Sequence, residues 1–105
     1  MGKLPRLSPK ERTILDLLIK HDELYGLEMV RARADALKVG TVYVTLLRMQ
    51  EKGFVTSRTV ESPSQSGRPR RLYRPSPYGI EVHRLSESYD KGVTTAQLLQ
   101  AGPGT

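Results

Sequence analysis

Val39-Gly40-Thr41-Val42-Tyr43-Val44-Thr45-Leu46-Leu47-Arg48-Met49-Gln50-Glu51-Lys52-Gly53 is the stretch on which the fold turns. Its β-branched residues leave propensity undecided between helix and strand. Spacing decides for a helix. Val42, Leu46 and Met49 stand at i, i+4 and i+7, which a helix gathers on one face and a strand would scatter over both. Gly53 falls where a left-handed residue ends a helix. With those three apolar residues turned inward, Thr41, Tyr43, Val44, Thr45, Leu47 and Arg48 form the outer face.

Working upstream, Ser8-Pro9-Lys10-Glu11 has the form of a capping box with proline at the first helical position. A helix is expected over 9–20, with Ile14, Leu15, Leu18 and Ile19 at helical spacing and an end near His21-Asp22. A second helical segment starts around Tyr25-Gly26 and runs to Ala34, with Leu27, Val30 and Ala34 inward. Downstream, 54–60 and 70–74 have strand composition, and the Ser/Pro/Gly-rich residues 61–69 between them make a loop. Leu72 and Tyr73 alternate, so one of them faces the core. Ser76-Pro77 repeats the signature of Ser8-Pro9 and predicts a fourth helix with Tyr78, Val82, Leu85 and Tyr89 on one face. Beyond Lys91-Gly92 the pattern fades, with one further helical turn to be expected at most.

The order helix, helix, helix, hairpin, helix predicts a mainly α chain with a small β-hairpin. This is the order of a winged helix-turn-helix, with a three-helix core, a two-stranded wing and a C-terminal helix. Residues 1–90 are expected to form this one domain, the C-terminal helix lying at about 76–90, and 91–105 a flexible or partly helical tail. The single core must be modest, since 37% of the 105 residues are apolar and the aromatics are five tyrosines and one phenylalanine. Cysteine is absent, which removes disulfides and thiolate zinc sites. No apolar leader opens the chain and no run nears the ~20 residues of a membrane span, so a cytoplasmic, nucleoid-associated protein is expected.

The net charge is +6, and its placement matters more than its size. Residues 48–84 hold eight bases against three acids, a net of +5, which leaves +1 for the rest. Such concentration is the electrostatic footprint expected of a protein that displaces counterions from a polyanion, double-stranded DNA being the partner expected here. On the outer face of the third helix, Arg48 can fork onto guanine or a phosphate, Thr41 and Thr45 can hydrogen-bond, and Val44 can pack on a thymine methyl. The competing reading makes Arg48 a solvated charge and puts Val44 and Leu47 in the core.

Gly40-Thr41-Val42-Tyr43 with Leu46, Arg48 and Gly53-Phe54-Val55 resembles the third-helix pattern of PadR-like transcriptional regulators. Gly67-Arg68-Pro69-Arg70-Arg71-Leu72-Tyr73-Arg74 with Pro77 and Gly79 resembles their wing and its exit, and Tyr25-Gly26 the start of their second helix. The resemblance spans roughly residues 10 to 85. It implies a homodimeric repressor on a palindromic operator, with Tyr43 and the basic wing at the DNA backbone and dimerisation through the C-terminal helical region. Tyr78, Val82, Leu85 and Tyr89 are the stripe offered for that contact, unless this face packs on helix 1 of its own chain. Two departures stand out: Val44 occupies a position where the family often has proline, and the C-terminal region is short.

Within the wing, Arg68, Arg70 and Arg71 are expected on phosphates, and Gly67-Arg68-Pro69 resembles an AT-hook core without its preceding basic residue. No catalytic residue, metal or cofactor is expected: His21 and His83 stand in no ligand spacing with an acid or with each other. The resemblance leaves room for a small apolar or aromatic effector near Tyr78 and Tyr89. The alternatives to a sequence-specific repressor are a winged-helix protein-interaction module and a non-specific DNA-architectural protein.

Overall fold

The computed structural model describes residues 6–60 and 70–90, with the side chains of Tyr89 and Asp90 left out. The order is α1 (Pro9–His21), β1 (Leu24–Tyr25), α2 (Gly26–Ala32), α3 (Val39–Glu51), β2 (Val55–Val60), β3 (Arg70–Pro75) and α4 (Pro77–Asp90). The wing strands belong to a three-stranded antiparallel sheet ordered β1-β3-β2. Tyr73 pairs with Leu24 on one side and with Ser57 on the other. The two-stranded wing expected from the sequence therefore gains β1, whose two residues are too few to show any alternation.

The α1 cap forms as its sequence requires. Ser8 Oγ accepts from the Glu11 amide at 3.2 Å, and Glu11 Oε1 accepts from the Ser8 amide at 2.8 Å. At the other end, Asp22 takes φ 75° and ψ −54°, and the Glu23 amide donates to the His21 carbonyl at 2.9 Å. That is a γ-turn with positive φ at a non-glycine residue, a strained way to reverse the chain into β1.

The core gathers Ile14, Leu15, Leu17 and Leu18 from α1, Met29 from α2, Leu37, and Val42, Leu46 and Met49 from α3, with Phe54, Val55, Tyr73 and Val82. Each fully buried leucine or methionine contributes roughly 1.5–3 kcal/mol by leaving water. Two expectations need correction. Leu17 takes the core position, leaving Ile19 exposed; α2 buries Gly26 and Met29 and turns Leu27 outward, and it ends at Ala32, so that Ala34 lies exposed beyond it. A two-turn helix has too short a pattern for its phase to be read from spacing. Of the pair Leu72 and Tyr73, the tyrosine is the buried one, and burial pushes its phenol pKa up.

A compact knot joins α3, β2 and α4. Gly53 closes α3 with φ 84°, as its position at C′ requires. Ser76 Oγ donates to the Gly53 carbonyl at 2.6 Å and accepts from the Gly79 amide at 2.9 Å, so one hydroxyl caps α4 and ties it to the end of α3. The Ser76 amide donates to the Phe54 carbonyl at 3.0 Å. A Cβ on Gly79 would lie 2.0 Å from that carbonyl oxygen, so glycine is what lets α4 approach.

Candidate nucleic-acid interface

With Val42, Leu46 and Met49 in the core, α3 presents its other face to solvent. Thr41, Tyr43, Val44, Leu47 and Arg48 are exposed and Thr45 is half-buried. Leu47 is 58% exposed and Val44 51%, so neither belongs to the core. Thr45 Oγ1 donates to the Thr41 carbonyl at 3.1 Å, leaving its lone pairs outward. No acid lies in the first turn of α3, so the positive end of the helix dipole is uncompensated there.

Beside this face runs a groove of about 540 Å³, shared by the N-terminal end of α1 and the outer side of α3. Arg6, Lys10, Arg48 and Lys52 line it, with Thr41, Val44 and Thr45. Lys10 Nζ reaches Thr41 Oγ1 at 3.4 Å. Glu11, the acid of this groove, is bound by Lys52 at 2.8 Å. Burial pushes the Glu11 carboxyl up, but the bonds from Lys52 and Ser8 outweigh it and hold it below the usual carboxylate range. The groove is thus a concave basic surface whose acid is already neutralised. Arg6 and Lys10 carried no signal in the sequence, because only folding brings α1 beside α3, and Lys52 was marked there only as part of the basic run 48–84.

On the wing the arginines divide into two groups. Arg58 makes a forked pair with Glu23, both contacts at 3.2 Å, and Arg74 reaches Asp22 at 3.2 Å and Glu23 at 3.9 Å. The Arg58 bond, with the neighbouring charges, holds the Glu23 carboxyl below its usual range. Arg70 lies over the Tyr25 ring at 4.2 Å from its centroid, keeping its charge while its orientation is fixed. Arg71 Nη1 donates to Ser57 Oγ at 3.2 Å, and Ser57 Oγ donates to Gln50 Oε1 at 3.1 Å, a chain from wing to α3. The charge available on this surface is therefore less than the run in the sequence suggests. Two of its arginines are spent on acids from the α1–β1 turn. Arg68, with Gly67 and Pro69, lies outside the described residues, as does the tail expected at 91–105.

The stripe foreseen on α4 divides as well. Val82 is buried in the chain's own core, Leu85 is half-buried, and Tyr78 is exposed with its ring 5.7 Å from that of Phe54. Ile80, not singled out by the spacing, is exposed beside them. No helix among the described residues is long and apolar enough to cross a membrane.

Comparison with known proteins places these features in context. The family model described as the transcriptional regulator PadR-like family matches residues 14–85. A PadR family regulator from a hypervirulent Clostridium difficile strain is similar at 26% identity and TM-score 0.67, over 90% of this chain and 100% of that one. A PadR-like transcription factor from Bacteroides fragilis is similar at 25% identity and TM-score 0.64, over 76% of this chain and 79% of that one. Bacillus subtilis PadR, solved in complex with operator DNA, shares the fold at 23% identity and TM-score 0.62, over 90% of this chain and 50% of that one. No curated protein matches the chain.

Proposed function

Since the chain belongs to the PadR-like family of transcriptional regulators, we propose that it is a repressor that binds a palindromic DNA operator as a homodimer. The observation that carries this reading is the division of α3: one face buried in the core, the other exposed and flanked by basic groups from α1 and the wing. In this reading α3 lies in the major groove, with Arg48, Thr41, Thr45 and Val44 toward base edges and Tyr43 toward the backbone. Lys10, Arg70, Arg71 and Arg68 neutralise phosphates and set affinity without reading sequence. The Bacillus subtilis relative solved with operator DNA supports the DNA part.

Dimerisation is assigned to α4, through exposed Tyr78 and Ile80 and half-buried Leu85, with Tyr89 included on its sequence spacing alone. Val82 belongs to the monomer core and supports α4 from within. An apolar or aromatic effector would find its surface at the same contact. A protein-interaction module is the second reading, favoured by the apolar exposure of Val39, Val44 and Leu47 on α3.

Selection from random duplex DNA separates the two. An enriched inverted repeat with half-site centres about one helical turn, ~34–36 Å, apart supports the dimeric regulator. Salt-sensitive binding without enrichment removes sequence-specific recognition and leaves the architectural or interaction reading.

A further inference from the structure

Folding completes a group of which the sequence holds one pair, His83 and Glu87 at i, i+4, contrary to the expectation that His83 stands in no ligand spacing with an acid. Asp16 lies on α1, and His83 and Glu87 stand one turn apart on α4, facing the same way. Their ligand atoms, one per side chain, all lie within 4.8 Å of one another. His83 Nε2 contacts Asp16 Oδ1 and lies 4.0 Å from Glu87 Oε2. The imidazole is held by its surroundings, its side chain being 10% exposed, whereas both carboxylates reach solvent and are free to adjust. One turn along, Arg12 Nη2 donates to Ser86 Oγ at 2.7 Å, which fixes the separation of the two helices.

We propose that Asp16, His83 and Glu87 form a binding site for a divalent first-row transition cation, with Zn(II) as its best-matched occupant. The donors are one imidazole nitrogen and two carboxylate oxygens. Tetrahedral ligands at ~2.0–2.1 Å from Zn(II) are about 3.3 Å apart, so to admit the ion the Asp16–His83 hydrogen bond opens and Glu87 closes, each by about an ångström. With no cysteine in the chain, thiolate-seeking ions gain nothing here. Mg(II) and Ca(II) prefer cages of oxygen and are poorly served by the imidazole. Water fills the remaining coordination position.

Arg33, held in a forked pair by Asp35, is a cation that also feels Asp16: its pKa is raised by Asp35 first and by Asp16 least. It lowers the affinity without blocking the imidazole or Glu87. The occupied site would staple α4 to α1, adding a cross-link to a small core, and does not depend on the DNA-binding reading. Without a metal the same residues make an interhelical hydrogen bond, and that is the outcome the experiment must separate.

Untagged full-length chain, stripped with a chelator, is titrated with Zn(II) by calorimetry, with thermal unfolding followed in parallel. The expected result is one Zn(II) per chain and a raised melting temperature, since an ion that binds only the folded state stabilises it. Mg(II) and Ca(II) at the same concentration give neither effect. Asp16→Asn and Glu87→Gln change exposed side chains and keep the fold; each weakens Zn(II) binding about tenfold or more. His83→Asn abolishes it, while His21→Ala, on an exposed residue outside the group, leaves it unchanged. The proposal is overturned if wild type takes up no Zn(II), if Asp16→Asn and Glu87→Gln bind it as wild type does, or if binding disappears in His21→Ala.

Discussion

The Tyr43 ring lies across Gly26: a Cβ placed on Gly26 would come within 2.7 Å of Tyr43 Cε1 and 3.0 Å of the phenolic oxygen. The glycine that begins α2 is thus the floor on which a half-exposed tyrosine of α3 rests. Two motifs that the sequence shows separately, Tyr25-Gly26 and Gly40-Thr41-Val42-Tyr43, are halves of one contact. The position of Tyr43 at the proposed DNA surface is set by the absence of a side chain on α2.

Gly26→Ala tests this relationship. The clash is with the far end of a side chain, and alanine favours the helix by up to about 1 kcal/mol over glycine, so stability should change by less than about 1 kcal/mol. The ring must swing away, and operator affinity should fall several-fold while the urea midpoint barely moves. An unchanged affinity would show that Tyr43 is not held in place for DNA.

Gly79→Ala should behave in the opposite way. Here the obstacle is the Phe54 backbone carbonyl, 2.0 Å from the new Cβ, and it cannot rotate aside. Overpacking of this kind costs about 1–3 kcal/mol, and the upper half of that range is expected, read as a lower urea midpoint with an unchanged m-value.

Glu11 couples stability to pH. Its folded pKa is depressed, so its contribution is fully present above the ordinary glutamate pKa of about 4.3 and is lost as pH falls through the lower folded value. Glu11→Gln keeps an acceptor for the Ser8 amide but loses the ion pair with Lys52. A loss of about 1 kcal/mol at pH 7 is expected, together with a flatter acid limb in urea melts recorded from pH 7 downward.

The wing arginines should differ in what they do to salt dependence. Arg71→Ala and Arg70→Ala should each lower the slope of log K against log salt by about 1. Arg58→Ala should lower it less, because Arg58 is already matched by Glu23. Equal slopes for Arg58→Ala and Arg71→Ala would mean that the ion pair opens on binding DNA.

Much of this chain was legible before folding was considered. Repeating local patterns show α1, α3 and α4, the Ser8 and Ser76 caps, the Gly53 stop and the exposed face of α3, because each depends on residues within one or two turns of one another. The same locality identifies Gly40–Tyr43 and the wing exit as family features. What needed the tertiary structure is of another kind. The strand Leu24–Tyr25 exists only because β3 pairs with it; the phase of α2 is set by what Met29 packs against; Val82 enters the core because α4 folds back over Phe54. The pairing of Arg58 and Arg74 with Asp22 and Glu23, the basic groove joining Lys10 to Arg48, and the meeting of Asp16 with His83 and Glu87 all join residues far apart in the chain. Local sequence fixes which faces a helix has. Which side chains those faces meet is decided by packing.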